Sequence, residues 1–425
     1  MAGLQIWRHV PGKVLLFLIN VVAATALIFE GYNQGVLGTV SATPGFIKMA
    51  DIGHDGVVTN TTKQGGLAAA YYFGGMWGCF IGGWVGDRIG RKGGVLIGTA
   101  FGILGAGLMA GSTNASMFIC ARLLDAIVEA NHHKRNDLAN IVLGGRFSGK
   151  LHLGRRAVLG FALQWIQQWT GILAIVGWAG VLFELAGFDP YKALWLAGLA
   201  NTFGVPGTAA AALVIDRMGR VKSLITSFAI QGVCLFLVAA LIKTSQDNAI
   251  SDPELSQRLG TAAASFVFIY VWFFTMFNII PCWIYGTEIW PQEVRAKGYS
   301  FTIFGWATGC GSTTLIMPIF LSRAGYGTYL FFGAMNVVVA PLIWFFFPEL
   351  ANRTLEEISL LFTSESLLAS ENMKEYHRRV DEAGGNIAVA ARQLLDEVDG
   401  KDAESGTEIG SPDEKRVEVN QDATM

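Results

Sequence analysis

Gly83-Trp84-Val85-Gly86-Asp87-Arg88-Ile89-Gly90-Arg91-Lys92 closes one long apolar run of the chain. Ala212-Leu213-Val214-Ile215-Asp216-Arg217-Met218-Gly219-Arg220 closes another. Both read small-x3-Asp-Arg-x-Gly-Arg, and both sit where an apolar stretch ends in basic residues. One such segment is chance; two at matching places mark a duplicated architecture. In each copy the glycine is expected to make a tight turn, leaving the Asp and Arg to pair with a neighbouring helix end.

Outward from these segments, the apolar runs cover residues 14–36, 65–86, 93–112, 157–183, 193–215, 223–243, 262–286, 299–321 and 328–347. Each meets the requirement of roughly 20 apolar residues for a helix crossing a 30 Å hydrocarbon layer. A tenth run, Ser116 to Val128, is short and carries Arg122 and Asp125. The first run is too long for a cleaved leader and reads as a signal-anchor. Gly74, Gly78, Gly82 and Gly86 recur every four residues, which gives a helix face that a neighbouring backbone can approach closely.

Composition agrees with a polytopic membrane protein. Of 425 residues, 52% are hydrophobic and only 15% charged, against about 25% charged in soluble domains. A net charge of −2 with no basic stripe excludes a nucleic-acid binder. All five cysteines lie in apolar stretches, which excludes a disulfide scaffold. Lys and Arg concentrate at Arg8 and Lys13, at 88–92, at 134–156, at 217–222 and around Arg295 and Lys297, so both termini read as cytoplasmic. Asn60-Thr61-Thr62 is a glycosylation sequon in a loop expected outside.

The duplicated segment resembles the signature of the major facilitator superfamily, and further motifs resemble its sugar porter family, most of all the fungal hexose transporters. Gln164-Trp165-Ile166-Gln167-Gln168-Trp169-Thr170-Gly171 is similar to the family's seventh-span element, and Gly31-Tyr32-Asn33-Gln34-Gly35-Val36 to its first-span element. Glu288 to Gly298 resembles its loop after the tenth span. Pro348-Glu349 with Thr354-Leu355-Glu356-Glu357 resembles its ending after the twelfth. The resemblance covers about residues 14–128 and 150–358. It implies an all-α, polytopic major facilitator fold that transports a hexose-like sugar by alternating access, without cofactor, metal or catalytic residues.

Such folds have six spans in each half. The second repeat is complete here, but the first lacks most of its fourth span and all of its fifth and sixth. The expected organisation is a cytoplasmic N-tail (1–13), a truncated N-terminal bundle (14–128), a cytoplasmic inter-bundle loop (129–156), a complete six-helix bundle (157–347) and an acidic, partly disordered cytoplasmic tail (348–425). The tail carries one amphipathic stretch near 371–398. The join is expected near Asp125–Glu129, and transport by such a chain is expected to be impaired. A genuine ten-span protein is the rival reading.

The resemblance assigns Gln167 and Gln168 to the sugar, and amides that both donate and accept suit adjacent hydroxyls. Asn201, Trp283 and Trp306 match family positions facing the site, and Asn278 is added on the cost of burying an amide in a membrane. Leu173 and Gly177-Trp178 depart from the family pattern, as does Gly305, which stands where an Asn is expected. For coupling, Asn33 occupies the position of a titratable Asp and favours uniport. Glu30, with Arg122 as partner, keeps proton symport open. A cytoplasmic gate is implied at Asp87, Arg91, Asp216, Arg220, Glu288, Arg295 and Glu349. A quinate or polyol permease and a sugar sensor remain as alternatives. The expected partners are a small sugar, protons if coupled, and the plasma-membrane bilayer, with no nucleic acid and an open oligomeric state.

Overall fold

The computed structural model describes residues 40–41, 43–54, 57–129, 151–291 and 294–406; side chains at 79–97 lie outside that description. The first apolar run, with Glu30 and Asn33, also falls outside the described residues.

A small cap precedes the membrane helices. Helix α1 (Pro44–Ala50) starts on a proline, whose missing N–H costs nothing at a helix start. A two-residue hairpin, β1 (Gly53–His54) against β2 (Val57–Val58), leads to Asn60. The Asn60 side chain accepts the Lys63 N–H at 2.9 Å and so caps α2 (Thr61–Ala110). Phe46, Ile47, Ile52, Leu67 and Phe118 form the cap's apolar cluster.

The sequence predicts two spans with a tight turn at Gly90, and here the structure differs. Residues 61–110 form one unbroken helix, so 87–92 is helical and not a turn. That helix nevertheless reverses. Arg122, on α3 (Ala115–Glu129), lies 5.2 Å from the ring centre of Tyr71. A straight helix would carry Ala110 about 58 Å beyond Tyr71, and twelve extended residues recover only about 40 Å. Glycines at 82, 83, 86, 90, 93 and 94 remove the side chains that would oppose a bend. The second copy behaves as expected: Gly219 adopts φ +91 and ends α6 (Pro190–Met218).

Six described helices are long and apolar enough to cross a membrane. They are α4 (Leu153–Val176), α6, α7 (Arg220–Asp247), α8 (Pro253–Glu288), α9 (Gly298–Ala324) and α10 (Gly327–Phe346). A short helix, α5 (Ala179–Leu185), follows α4. Glycines set the close crossings. Gly204 and Gly207 of α6 face Thr275 of α8, and Gly305 of α9 lies on the backbone of Phe161 in α4. The expected Asn at 305 would not fit, because any Cβ there runs into the Phe161 carbonyl. Gly65 of α2 meets the Leu315 backbone, which joins the N-terminal helices to α9.

Two of these helices widen part-way along their length. In α4, residues Gln168–Ile172 form a π-turn with Gly171 at φ +103. The Thr170 carbonyl that this frees accepts the Asn336 amide at 2.8 Å and the Tyr270 hydroxyl at 3.4 Å. In α8, a π-turn at Thr275–Ile279 comes just before Pro281, which has no N–H to continue the ladder.

Beyond α10 the chain folds back. Helices α11 (Leu355–Leu361), α12 (Ala369–Glu382) and α13 (Ile387–Gly406) follow, and Thr354 and Glu357 form a capping box at the start of α11. Tyr376, Ala390, Ala391 and Leu394 are buried in the cluster that holds Phe362, Ile289 and Trp290. The amphipathic stretch of the tail is therefore packed under the helices.

Candidate substrate-binding site and cytoplasmic rim

At the two widened turns the structure gathers amides. Gln168 donates from Nε2 to Gln167 Oε1 at 3.0 Å, and Gln167 donates from Nε2 to Asn278 Oδ1 at 2.7 Å. The Cys282 thiol also approaches Asn278 Oδ1, at 3.4 Å. All three amides are at most 4% exposed. The relay leaves Asn278 Nδ2 buried without an acceptor, and one turn earlier Gln164 buries both amide atoms with no partner. A buried amide without partners costs about 1–3 kcal/mol.

Three of the predicted site residues, Gln167, Gln168 and Asn278, thus form one chain of hydrogen bonds. Trp306 and Trp283 stand together, with ring centres 6.1 Å apart, and Tyr72 of α2 meets Trp306 edge-on at 5.8 Å. Asn201 is on α6 with its Oδ1 buried and unpartnered, and it has no hydrogen bond to the amide relay. Arg122 is 4% exposed and lies over Tyr71 and Phe118. The reading of the residues missed Gln164's isolation and Asn336, which clamps Thr170; its signal was an amide in the middle of the 328–347 run.

At the rim, Arg220 forks onto Glu288, with Nη2–Oε1 at 2.9 Å and Nε–Oε2 at 3.1 Å, and it reaches Asp216 at 3.3 Å. Glu349 receives the Arg220 and Val221 backbone N–H groups at 2.8 and 3.0 Å, together with those of Lys222, Leu350 and Ala351. This carboxylate caps the positive end of α7. Gly219 leaves it room, since a Cβ there would meet Glu349 Oε2 at 2.7 Å. Arg295 donates to the Trp290 carbonyl at 3.4 Å. The described rim contacts of Asp216, Arg220, Glu288 and Glu349 tie α6, α7, α8 and the end of α10 to one another, and that of Arg295 stays within the α8–α9 connection. The side chains of Asp87 and Arg91 lie outside the described residues.

Two further rim residues, Arg155 and Arg156, count in the sequence only as loop charges. They begin α4 and are 3% and 0% exposed. Arg156 donates to the carbonyls of Leu151, Ile289 and Ser359. Arg155 donates to Ser364 O, Leu367 O and Asn372 Oδ1. Phe362 lies under both guanidinium groups, at 4.5 and 5.6 Å. Burial pushes the neighbouring His152 below the usual histidine range; a hydrogen bond with Thr363 opposes that shift and the two arginines add to it.

Residues 19–128 and 124–362 match the family model described as "Sugar (and other) transporter". A curated relative, the sugar transporter STL1 of Saccharomyces cerevisiae, is 31% identical over 245 residues, which is 57% of this chain and 40% of that protein. The probable glucose transporter rco-3 of Neurospora crassa is 29% identical over 249 residues, 56% of this chain and 40% of that one. These alignments span about two-fifths of the length of the relatives. Among solved structures, the xylose transporter XylE from E. coli in an inward open conformation aligns with a TM-score of 0.61 at 16% identity. That alignment covers 81% of this chain and 99% of that one, and it shows the fold.

Proposed function

The chain belongs to the sugar (and other) transporter family, with a major facilitator fold in a polytopic membrane protein, and from that premise we propose that it binds a hexose-like sugar between its helices. The observation that carries this reading is the buried relay Gln168–Gln167–Asn278, with Gln164 and Asn278 Nδ2 left unpartnered beside it. Adjacent hydroxyls both donate and accept, and so supply what these amides lack. Trp283 and Trp306 offer apolar faces for the sugar ring, and Asn201 offers a further acceptor.

Transport itself is expected to be weak in this form. The two segments matched by the family model meet at 124–128, where the first repeat runs out in sequence, and this supports an internal shortening of the N-terminal bundle. The binding groups belong to the complete bundle, so binding survives where translocation does not. Asn33 supports uniport; Glu30 with Arg122 supports proton coupling, which alkalinisation of the medium on sugar addition would reveal. We place the chain in the plasma membrane with both termini cytoplasmic, Asn60 outside and glycosylated, and the rim ion pairs acting as the gate.

Two measurements on one preparation test the proposal. Purified full chain is titrated with glucose, xylose and quinate, and uptake of labelled glucose is followed in a transporter-null cell. Saturable glucose binding with little uptake is expected. Failure to bind any sugar overturns the reading, and uptake at the rate of a full-length relative overturns the expected impairment.

A further inference from the structure

Arg155 and Arg156 present two buried guanidinium groups side by side, and all six of their hydrogen bonds end on neutral carbonyl or amide oxygens. Arg155 Nε is buried with no acceptor among the described residues. Buried cations are ordinarily balanced by an anion, because the desolvation cost of each is several kcal/mol. The segment against them is rich in hydroxyls: Thr363-Ser364-Glu365-Ser366. The carbonyl of Ser364 already accepts from Arg155 Nη1 at 3.3 Å, and Ser364 is half-buried at the edge of the clamp while Glu365 is exposed. Asn372 on α12 receives another of the three Arg155 bonds.

We propose that Ser364 is a phosphorylation site whose phosphate completes the Arg155–Arg156 clamp and locks the α12–α13 tail onto the base of α4. In the modifying step the Ser364 Oγ attacks the γ-phosphorus of ATP on a protein kinase. The Oγ–P bond forms, the bond to the β-phosphate oxygen breaks, ADP leaves and the hydroxyl proton passes to the kinase's base. The product carries a charge of about −1.5 to −2 and three strong acceptors. Arg155 Nε is the donor that waits for them, and a guanidinium meets a phosphate through two parallel bonds between opposite charges, which a carbonyl cannot offer. The free hydroxyl form holds the tail through neutral bonds, and the phosphorylated form holds it tighter. The cellular part of this inference rests on the cytoplasmic placement of the tail; the clamp itself does not.

The test uses full-length chain in lipid nanodiscs, made with phosphoserine encoded at position 364, and follows tail cleavage within 369–406 by a limiting protease. Phosphoserine is expected to slow cleavage at least about fivefold, the effect of roughly 1 kcal/mol in a docking equilibrium. Phosphatase treatment should reverse the gain. R155K keeps the charge but removes Nε and the guanidinium fork, and its phosphoserine form is expected to be protected little more than its own unmodified form. Unchanged or faster cleavage overturns the clamp. Phosphopeptide mapping of chain expressed in fungal cells supplies the second arm. Phosphate at Ser364 supports access from the cytosol. An unmodified Ser364 alongside a protected phosphoserine protein overturns the site as a natural switch and points to the tail's placement as the failing premise.

Discussion

Asn278 accepts the side-chain amide of Gln167 at 2.7 Å, from a position 111 residues further along the chain, and keeps its own Nδ2 without a partner. The bond joins the two widened helices, so it places the polar groups of α4 and α8 at one level. Asn278→Ala removes the acceptor and leaves Gln167 Nε2 buried. The expected result is at least a tenfold loss of sugar affinity, or about 1.4 kcal/mol, in a titration at constant protein fold. Undiminished affinity would show that the sugar does not use this relay.

The Glu349 carboxylate is the acceptor for five backbone N–H groups and faces a glycine that must stay a glycine. Glu349→Ala is expected to cost about 2–3 kcal/mol and to lower the melting temperature in detergent. Gly219→Ala should cost about 1–2 kcal/mol from the left-handed backbone alone, before any contact with Glu349 is counted. A Gly219→Ala protein that melts with the parent would contradict the geometry.

His152 gives the base of α4 a pH dependence whose sign follows from its lowered pKa. The folded state binds a proton less readily than the unfolded one, so unfolding takes up protons and stability rises with pH. The contribution is complete above the ordinary histidine value of about 6.5 and is lost as pH falls through the lowered folded value. Tail cleavage should therefore be faster at pH 5.5 than at pH 7.5. His152→Asn tolerates the left-handed backbone at φ 44 and should flatten the profile.

Gly305→Asn restores the residue that the family pattern expects, and it should still destabilise this chain. The new side chain would start inside the Phe161 carbonyl, forcing α4 and α9 apart at a cost of about 1–3 kcal/mol. Because Trp306 is the next residue and stands 6.1 Å from Trp283, a shift in tryptophan emission would report the separation. An unshifted spectrum with an unchanged melting point would count against the close crossing.

The two copies of the duplicated segment show how far sequence carries the fold. Gly219 was legible because a helix of 29 residues ends there and Glu349 occupies the space a side chain would fill. Gly90 stands in the same Asp-Arg-x-Gly-Arg pattern, but that pattern only permits a turn, and residues 87–92 stay helical. Gln167 and Gln168 were legible from their flanking residues and Asn278 from the cost of burying it. Arg155 and Arg156 were not: their burial depends on Phe362 and Asn372, more than 200 residues away, and no local pattern encodes that.

The Glu349 cap also sets an order of events in the cell. The amide groups at the start of α7 are made 129 residues before the carboxylate that receives them. At about 5–20 residues per second, the ribosome supplies Glu349 roughly 6–26 s after Arg220. Through that interval the start of α7 must be served by water or lipid headgroups at the membrane face. The bundle can therefore close at this rim only after α10 and Glu349 have left the ribosome, which makes release of α10, and not insertion of α7, the step that commits this rim to its fold.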